Sequence, residues 1–201
     1  MARMHMEQSK ADPCVFFKKD DKGKTILIAI CFVDDNLLFR LKSEIQWYKD
    51  KVKERFEYKD LGPLKKHLGV WYKLKYDENG NRYLEATMPK KVREIIELYE
   101  KHTKGEAKIY LLPATAGLCM EKWTGEPLEQ TMYRKIVGKI MFCVTKIFPE
   151  ASNAARELAR HFSSPGPQQL TELAKFVGYL KGIEEDIKLI YRKPVELRAL
   201  S

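Results

Sequence analysis

No apolar run in these 201 residues approaches the roughly 20 residues that a helix needs to cross a bilayer. The longest, from Ile26 through Cys31 to Val33, is strand-sized. Residues 1–10 lack the apolar centre of a secretion signal. Cysteine is scarce: Cys14, Cys31, Cys119 and Cys143 stand far apart, with no CxxC pair and no histidine at ligand spacing. That excludes a disulfide-framed secreted domain or a zinc ribbon, and predicts a reduced intracellular protein of cytoplasm or nucleus, with Cys31 and Cys143 as buried thiols. The glycines form no phosphate loop of the P-loop or dinucleotide type. Ser163-Ser164 has no His/Asp partner pattern, so nucleophilic catalysis is unsupported, and neither repeats nor low-complexity tracts occur.

What is present is a globular composition, 44% apolar, with a net charge of +9 from 37 Lys+Arg against 28 Asp+Glu. Such an excess favours a polyanionic partner, most simply RNA or DNA. The basic residues cluster at Lys49, Lys51, Lys53 and Arg55, at Lys59, Lys65 and Lys66, and at Lys90, Lys91 and Arg93. In the first cluster Asp50 and Glu54 intervene, which fits a solvated helix face as well as it fits phosphate contact. Lys65, Lys66, Lys90, Lys91 and Arg93 are the candidate nucleic-acid contacts. Trp47, Trp71 and Trp123 could stack on bases or simply pack.

Apolar periodicity predicts an α+β chain, β-rich first and helical after. Strands are expected over 14–18, 25–33 and 36–41, followed by a helix over 43–56 carrying Ile45, Tyr48, Val52 and Phe56. A hairpin over 70–76 and 82–87 turns at Asp77-Glu78-Asn79-Gly80. Pro89 opens a helix carrying Val92, Ile95, Ile96 and Tyr99. Residues 105–128 read as a linker, followed by three helices and a last strand over 187–192. The expected division is 1–87 as one α/β unit and 88–201 as a mostly helical extension.

Phe32-Val33-Asp34-Asp35 sets two adjacent carboxylates between two strand-like runs, at or near a hairpin tip. Closely packed carboxylates repel, and a divalent cation such as Mg²⁺ offsets the repulsion through oxygen ligands shared with a phosphate. The arrangement suggests a polynucleotide polymerase palm, where two metals flank the transferring phosphoryl group. Asp34-Asp35-Asn36 also reads as an ordinary solvated turn.

Six stretches in order give the chain a recognisable character: Gln8-Ser9-Lys10-Ala11-Asp12-Pro13-Cys14; Phe32-Val33-Asp34-Asp35; Lys59-Asp60-Leu61-Gly62 with Leu68-Gly69; Tyr133-Arg134-Lys135-Ile136-Val137-Gly138; Tyr179-Leu180-Lys181-Gly182; and Tyr191-Arg192-Lys193. Together they resemble the reverse transcriptase domain of copia-type LTR retrotransposons. The resemblance implies an antiparallel palm sheet with a packed helix, then a helical thumb and connection region. It implies that Asp34 and Asp35 are the catalytic, Mg²⁺-binding pair of an RNA-directed DNA polymerase. Leu68, Gly69 and Trp71 would lie in a primer-grip-like hairpin, and a primer-template would be the partner. Phe32 stands where the family usually has Tyr, and Lys146-Ile147-Phe148-Pro149-Glu150 where it usually reads Thr-Arg-Pro-Asp.

The family's first palm aspartate and its fingers lie upstream of anything matched here, and its RNase H domain downstream. The resemblance therefore implies weak Mg²⁺ binding and no polymerisation by this chain alone. An upstream fingers and palm polypeptide would complete it, and the exposed sheet edge predicts self-association. A non-catalytic nucleic-acid-binding module derived from a retroelement is the alternative.

Overall fold

The run Thr25-Ile26-Leu27-Ile28-Ala29-Ile30-Cys31-Phe32 is apolar at every position after the first, so as a strand it presents apolar side chains to both faces. In the computed structural model, which describes residues 4–192, it is β3 (Thr25–Phe32) of a four-stranded antiparallel sheet. Its companions are β1 (Glu7–Gln8), β2 (Val15–Lys19) and β4 (Asp35–Arg40), in the order β1-β2-β3-β4. On one face Leu27, Ala29, Phe16 and Leu38 meet Ile45, Tyr48 and Val52 of α1 (Lys42–Lys53), a small core that also takes in Met6. The other face carries half-buried Val15, Phe17, Ile28, Ile30 and Leu37, with Phe32 and Phe39 more exposed. Lys18 lies 3.5 Å over the Trp47 ring and ends 2.6 Å from Glu44, so its stem covers apolar surface while its charge is paired. The predicted helix over 43–56 stops at Lys53, and Phe56 is exposed rather than packed.

This sheet and helix belong to one compact unit, Met1–Leu64; the second unit is Lys65–Ser201. The division expected after residue 87 thus falls after Leu64, because the second hairpin shares its core with the helices. β5 (Lys66–His67), β6 (Val70–Tyr76), β7 (Arg82–Thr87) and β8 (Leu189–Arg192) form a second antiparallel sheet in that order. Asp77 makes the β6–β7 turn, its Oδ1 accepting the amides of Asn79 at 3.0 Å and Asn81 at 2.9 Å. Val70, Ala86 and Met88 are buried in one cluster with α2 (Pro89–Thr103), α3 (Gln130–Ile147), α4 (Ser152–Ala159) and α5 (Pro167–Gly182). Tyr133 at its centre is fully buried, and its hydroxyl donates to the Leu158 carbonyl at 2.8 Å, so the polar end is satisfied. Cys143 is buried too, which pushes its thiol up to about 11; Cys31, expected to be buried, is only half so. Lys193, the last residue of the sixth matched stretch, lies outside the described residues. No helix among the described residues is long and apolar enough to cross a membrane.

The segment 104–129 has no regular secondary structure, as expected, but it is not a free linker. Helix side chains grip its backbone at intervals. Glu100 accepts the Ala107 amide at 2.9 Å, Glu157 the Met120 amide at 2.9 Å, and Glu172 the Thr115 amide at 3.1 Å and hydroxyl at 2.7 Å. Gln169 donates to the Glu121 carbonyl at 2.8 Å. Ala107 and Met120 are buried as a result. Close approach requires a glycine opposite: a Cβ on Gly178 of α5 would collide with the Lys108 carbonyl.

Each of these carboxylates ionises more readily than an ordinary glutamate. The Lys181 ammonium and then the Ala107 amide lower Glu100. The Met120 amide, helped by Arg160, lowers Glu157 against the cost of burial. Burial is the largest influence on Glu172 and pushes it up, but Lys175 and Thr115 together outweigh it. Because the folded values lie below the ordinary 4.5, this stabilisation is complete above that pH and is lost as pH falls through the folded values. Chemical denaturation from pH 7 downward should therefore show stability level to about pH 5 and declining below 4.5. Glu157→Ala leaves the Met120 amide and Arg160 without their acceptor and should cost about 2–3 kcal/mol, read from the denaturation midpoint at pH 7.

Candidate functional site

In the first unit the β3–β4 hairpin is as tight as a hairpin can be. Phe32 opposes Asp35, leaving Val33 and Asp34 as a two-residue loop. Val33 has φ +56°, a positive φ that a two-residue hairpin loop normally gives to glycine, asparagine or aspartate. A β-branched residue held there is strained by about 1–2 kcal/mol. It gains nothing from burial, since Val33 is 91% exposed.

The two aspartates therefore do not occupy consecutive strand positions. Asp34 stands on the turn and Asp35 opens β4, on the same face as Phe32, Leu37 and Phe39. Both are exposed, and among the described residues neither carboxylate takes part in a hydrogen bond or an ion pair. Carboxylate oxygens are the donor type that Mg²⁺ takes, and its octahedral shell needs more than these two residues supply. Among the described residues no third His, Cys, Asp or Glu joins them in a metal-sized group.

In the second unit the Leu68-Gly69 pair is also a two-residue loop, between His67 and Val70. Both residues have positive φ, +47° and +83°, the requirement of a type I′ turn. The turn brings Lys66 opposite Trp71, with the ammonium 5.2 Å from the indole centroid. Trp71 is 40% exposed and lies on the sheet face away from Val70 and Tyr72, which pack toward the helices. Lys73 and Lys75 alternate onto that same outer face, as do Tyr83 and Arg192, the guanidinium 5.2 Å from the Tyr83 centroid. Lys75 is paired with Glu85 at 2.8 Å. Lys73 and Lys75 were missed in the sequence, where their alternation with Trp71 along one strand could have marked this face; Arg192 joins it only through β8.

The remaining candidates are dispersed. Lys65 is exposed next to β5. On α2, Lys91 pairs with Glu94 at 3.0 Å and Arg93 with Glu184 at 2.7 Å, so much of their charge is already met. Lys90 is exposed and has no ion-pair partner among the described residues. Trp47 is covered by Lys18, and the Trp123 indole N–H donates to the Glu126 carbonyl at 2.9 Å, which leaves Trp71 as the indole most available for stacking.

The chain is 26% identical over 184 residues to the retrovirus-related Pol polyprotein from transposon TNT 1-94 of Nicotiana tabacum. That match covers 88% of this chain and 13% of the polyprotein. The similarity supports a copia-type retrotransposon origin for the chain. No family model and no solved structure matches it.

The strain at Val33 is measurable. Val33→Gly should raise stability by about 1 kcal/mol, because glycine adopts the positive φ freely and the valine side chain it removes is in solvent. An unchanged or lower denaturation midpoint would show that the turn holds no strain.

Proposed function

We propose that the chain is part of a copia-type reverse transcriptase: the later half of the palm, with thumb and connection. The observation that carries this reading is the pair of free carboxylates, Asp34 and Asp35, presented at a strained two-residue hairpin in a chain similar to a Pol polyprotein. In this reading Asp34 and Asp35 would be the residues of this chain that hold Mg²⁺, which when bound would supply charge neutralisation for phosphoryl transfer. The sheet face bearing Trp71 and Lys66 supports a primer strand by stacking and charge. In this reading the remaining carboxylate and the nucleotide-gripping fingers come from polymerase sequence beyond these residues, on the same polypeptide or another, since no third ligand joins the pair among the described residues. The outer edge of β4, whose neighbour within its sheet is β3, is where we would seat it.

The test is primer extension on an RNA template with Mg²⁺. The chain alone should give none. With a fingers-containing upstream polypeptide from a copia-type element, extension should appear and Asp34→Asn should abolish it. Extension by the chain alone, absent in Asp34→Asn, would mean that a complete metal site assembles without a second polypeptide. Failure of the two polypeptides to associate or to extend would remove the polymerase reading.

A second reading is a non-catalytic nucleic-acid-binding module, favoured by the net charge of +9 and the basic, aromatic outer face of β5–β8. It predicts binding to a primer-template that weakens steeply with salt and is unharmed by Asp34→Asn. Replacing Lys65 and Lys66 with Ala should reduce the slope of log affinity against log salt by about 0.9 for each phosphate that these lysines neutralise. An unchanged slope would show that these lysines do not meet phosphates.

A further inference from the structure

Cys14 and Cys31 are far apart in sequence and directly opposed in the first sheet. The β2–β3 register pairs Val15 with Ile30 and Phe16 with Ala29, and one step further along it meets Cys14 and Cys31. The ladder does extend that step, for the Cys31 amide donates to the Cys14 carbonyl at 2.8 Å. The position of Cys14 is fixed from the other side by Asp12, whose Oδ1 accepts the Cys14 amide at 2.8 Å and whose carbonyl accepts the Val15 amide at 3.1 Å.

Opposed residues at a hydrogen-bonded antiparallel position have Cα atoms about 5.5 Å apart and side chains on the same face. A disulfide spans Cα separations of about 4.4–6.8 Å, and this position lies within that range. Cys14 is exposed, Cys31 is half-buried, and both are free thiols. We propose that Cys14 and Cys31 are a redox-active pair that closes to a cross-strand disulfide on reaction with a low-molecular-weight disulfide.

The exposed Cys14 reacts first. Its thiolate attacks one sulfur of the small disulfide, forming a mixed disulfide and releasing one small thiolate. The Cys31 thiolate then attacks the Cys14 sulfur, closing the Cys14–Cys31 bond and releasing the second small thiolate. The protein loses two protons and two electrons, and the small disulfide is reduced to two thiols. Burial pushes the Cys31 thiol up, so it is a poor first nucleophile and acts as the resolving thiol. The Tyr48 hydroxyl lies 3.9 Å from its sulfur on the helix side. The closed bond ties β2 to β3 immediately before the turn that carries Val33 and Asp34. The pairing follows from strand register and holds whether or not the chain is part of a polymerase.

The full chain is equilibrated with oxidised glutathione, quenched with an alkylating reagent, digested and mapped by mass spectrometry. The expected result is an intramolecular Cys14–Cys31 peptide pair, reversed by dithiothreitol, with Cys143 recovered as a thiol. In Cys14→Ser no intramolecular disulfide should form. Recovery of Cys14 and Cys31 unlinked to each other under these conditions, or linkage of either to Cys119 or to a second chain, would overturn the proposal. The parent protein alone supplies this answer, so it does not depend on how the variant folds.

Discussion

Three helix carboxylates holding a strand-free segment in place are the constraint on which the larger unit depends. Glu100, Glu157 and Glu172 lie on three different helices and each takes a backbone amide from residues 104–129. A segment without its own ladder must find partners for its amides, and a buried amide left unmet costs about 1–3 kcal/mol. Anchoring through carboxylates meets several such needs at once. Lys181, Arg160 and Lys175 then offset the carboxylate charge. The closeness of Lys108 to α5 is possible because residue 178 has no side chain.

The same unit shows how a sheet and a helical bundle become one body. β6 and β7 are joined by a local turn, but β8 reaches β7 from the far end of the described chain, pairing Arg192 with Tyr83 and Leu189 with Ala86. Val70 and Ala86 lie under the helices, while Trp71 and the alternating lysines face away. One strand thus contributes to the core and to a basic, aromatic surface, because its side chains alternate. The first unit is built differently: β3 is apolar on both faces, and a single helix packs against one of them.

Much of the candidate site was legible in advance. Asp34 and Asp35 at a hairpin tip follow from two apolar runs broken by polar turn residues, and the Asn79-Gly80 hairpin and the Pro89 helix follow from turn and cap chemistry. The strain at Val33 was not legible, since valine is a strand former and only the pairing of Phe32 with Asp35 forces it into the turn. Nor was the pairing of Cys14 with Cys31, which depends on register rather than spacing. The sequence offered Lys91 and Arg93 as nucleic-acid contacts without showing their ion pairs: Lys91 meets a helix neighbour, while Arg93 meets Glu184 from beyond α5.

The sequence by itself determined the elements: their types, their rough extents, and the residues that interrupt them, because these depend on near-neighbour periodicity and on the backbone preferences of Gly, Pro, Asn and Asp. It also carried the basic charge and the adjacent carboxylates. Only the tertiary structure decided that the second hairpin joins the helices, that residues 104–129 are anchored, and that Cys14 stands opposite Cys31. Each of those rests on contacts between residues distant along the chain, set by strand register and by burial of shared apolar surface, and no local pattern encodes them.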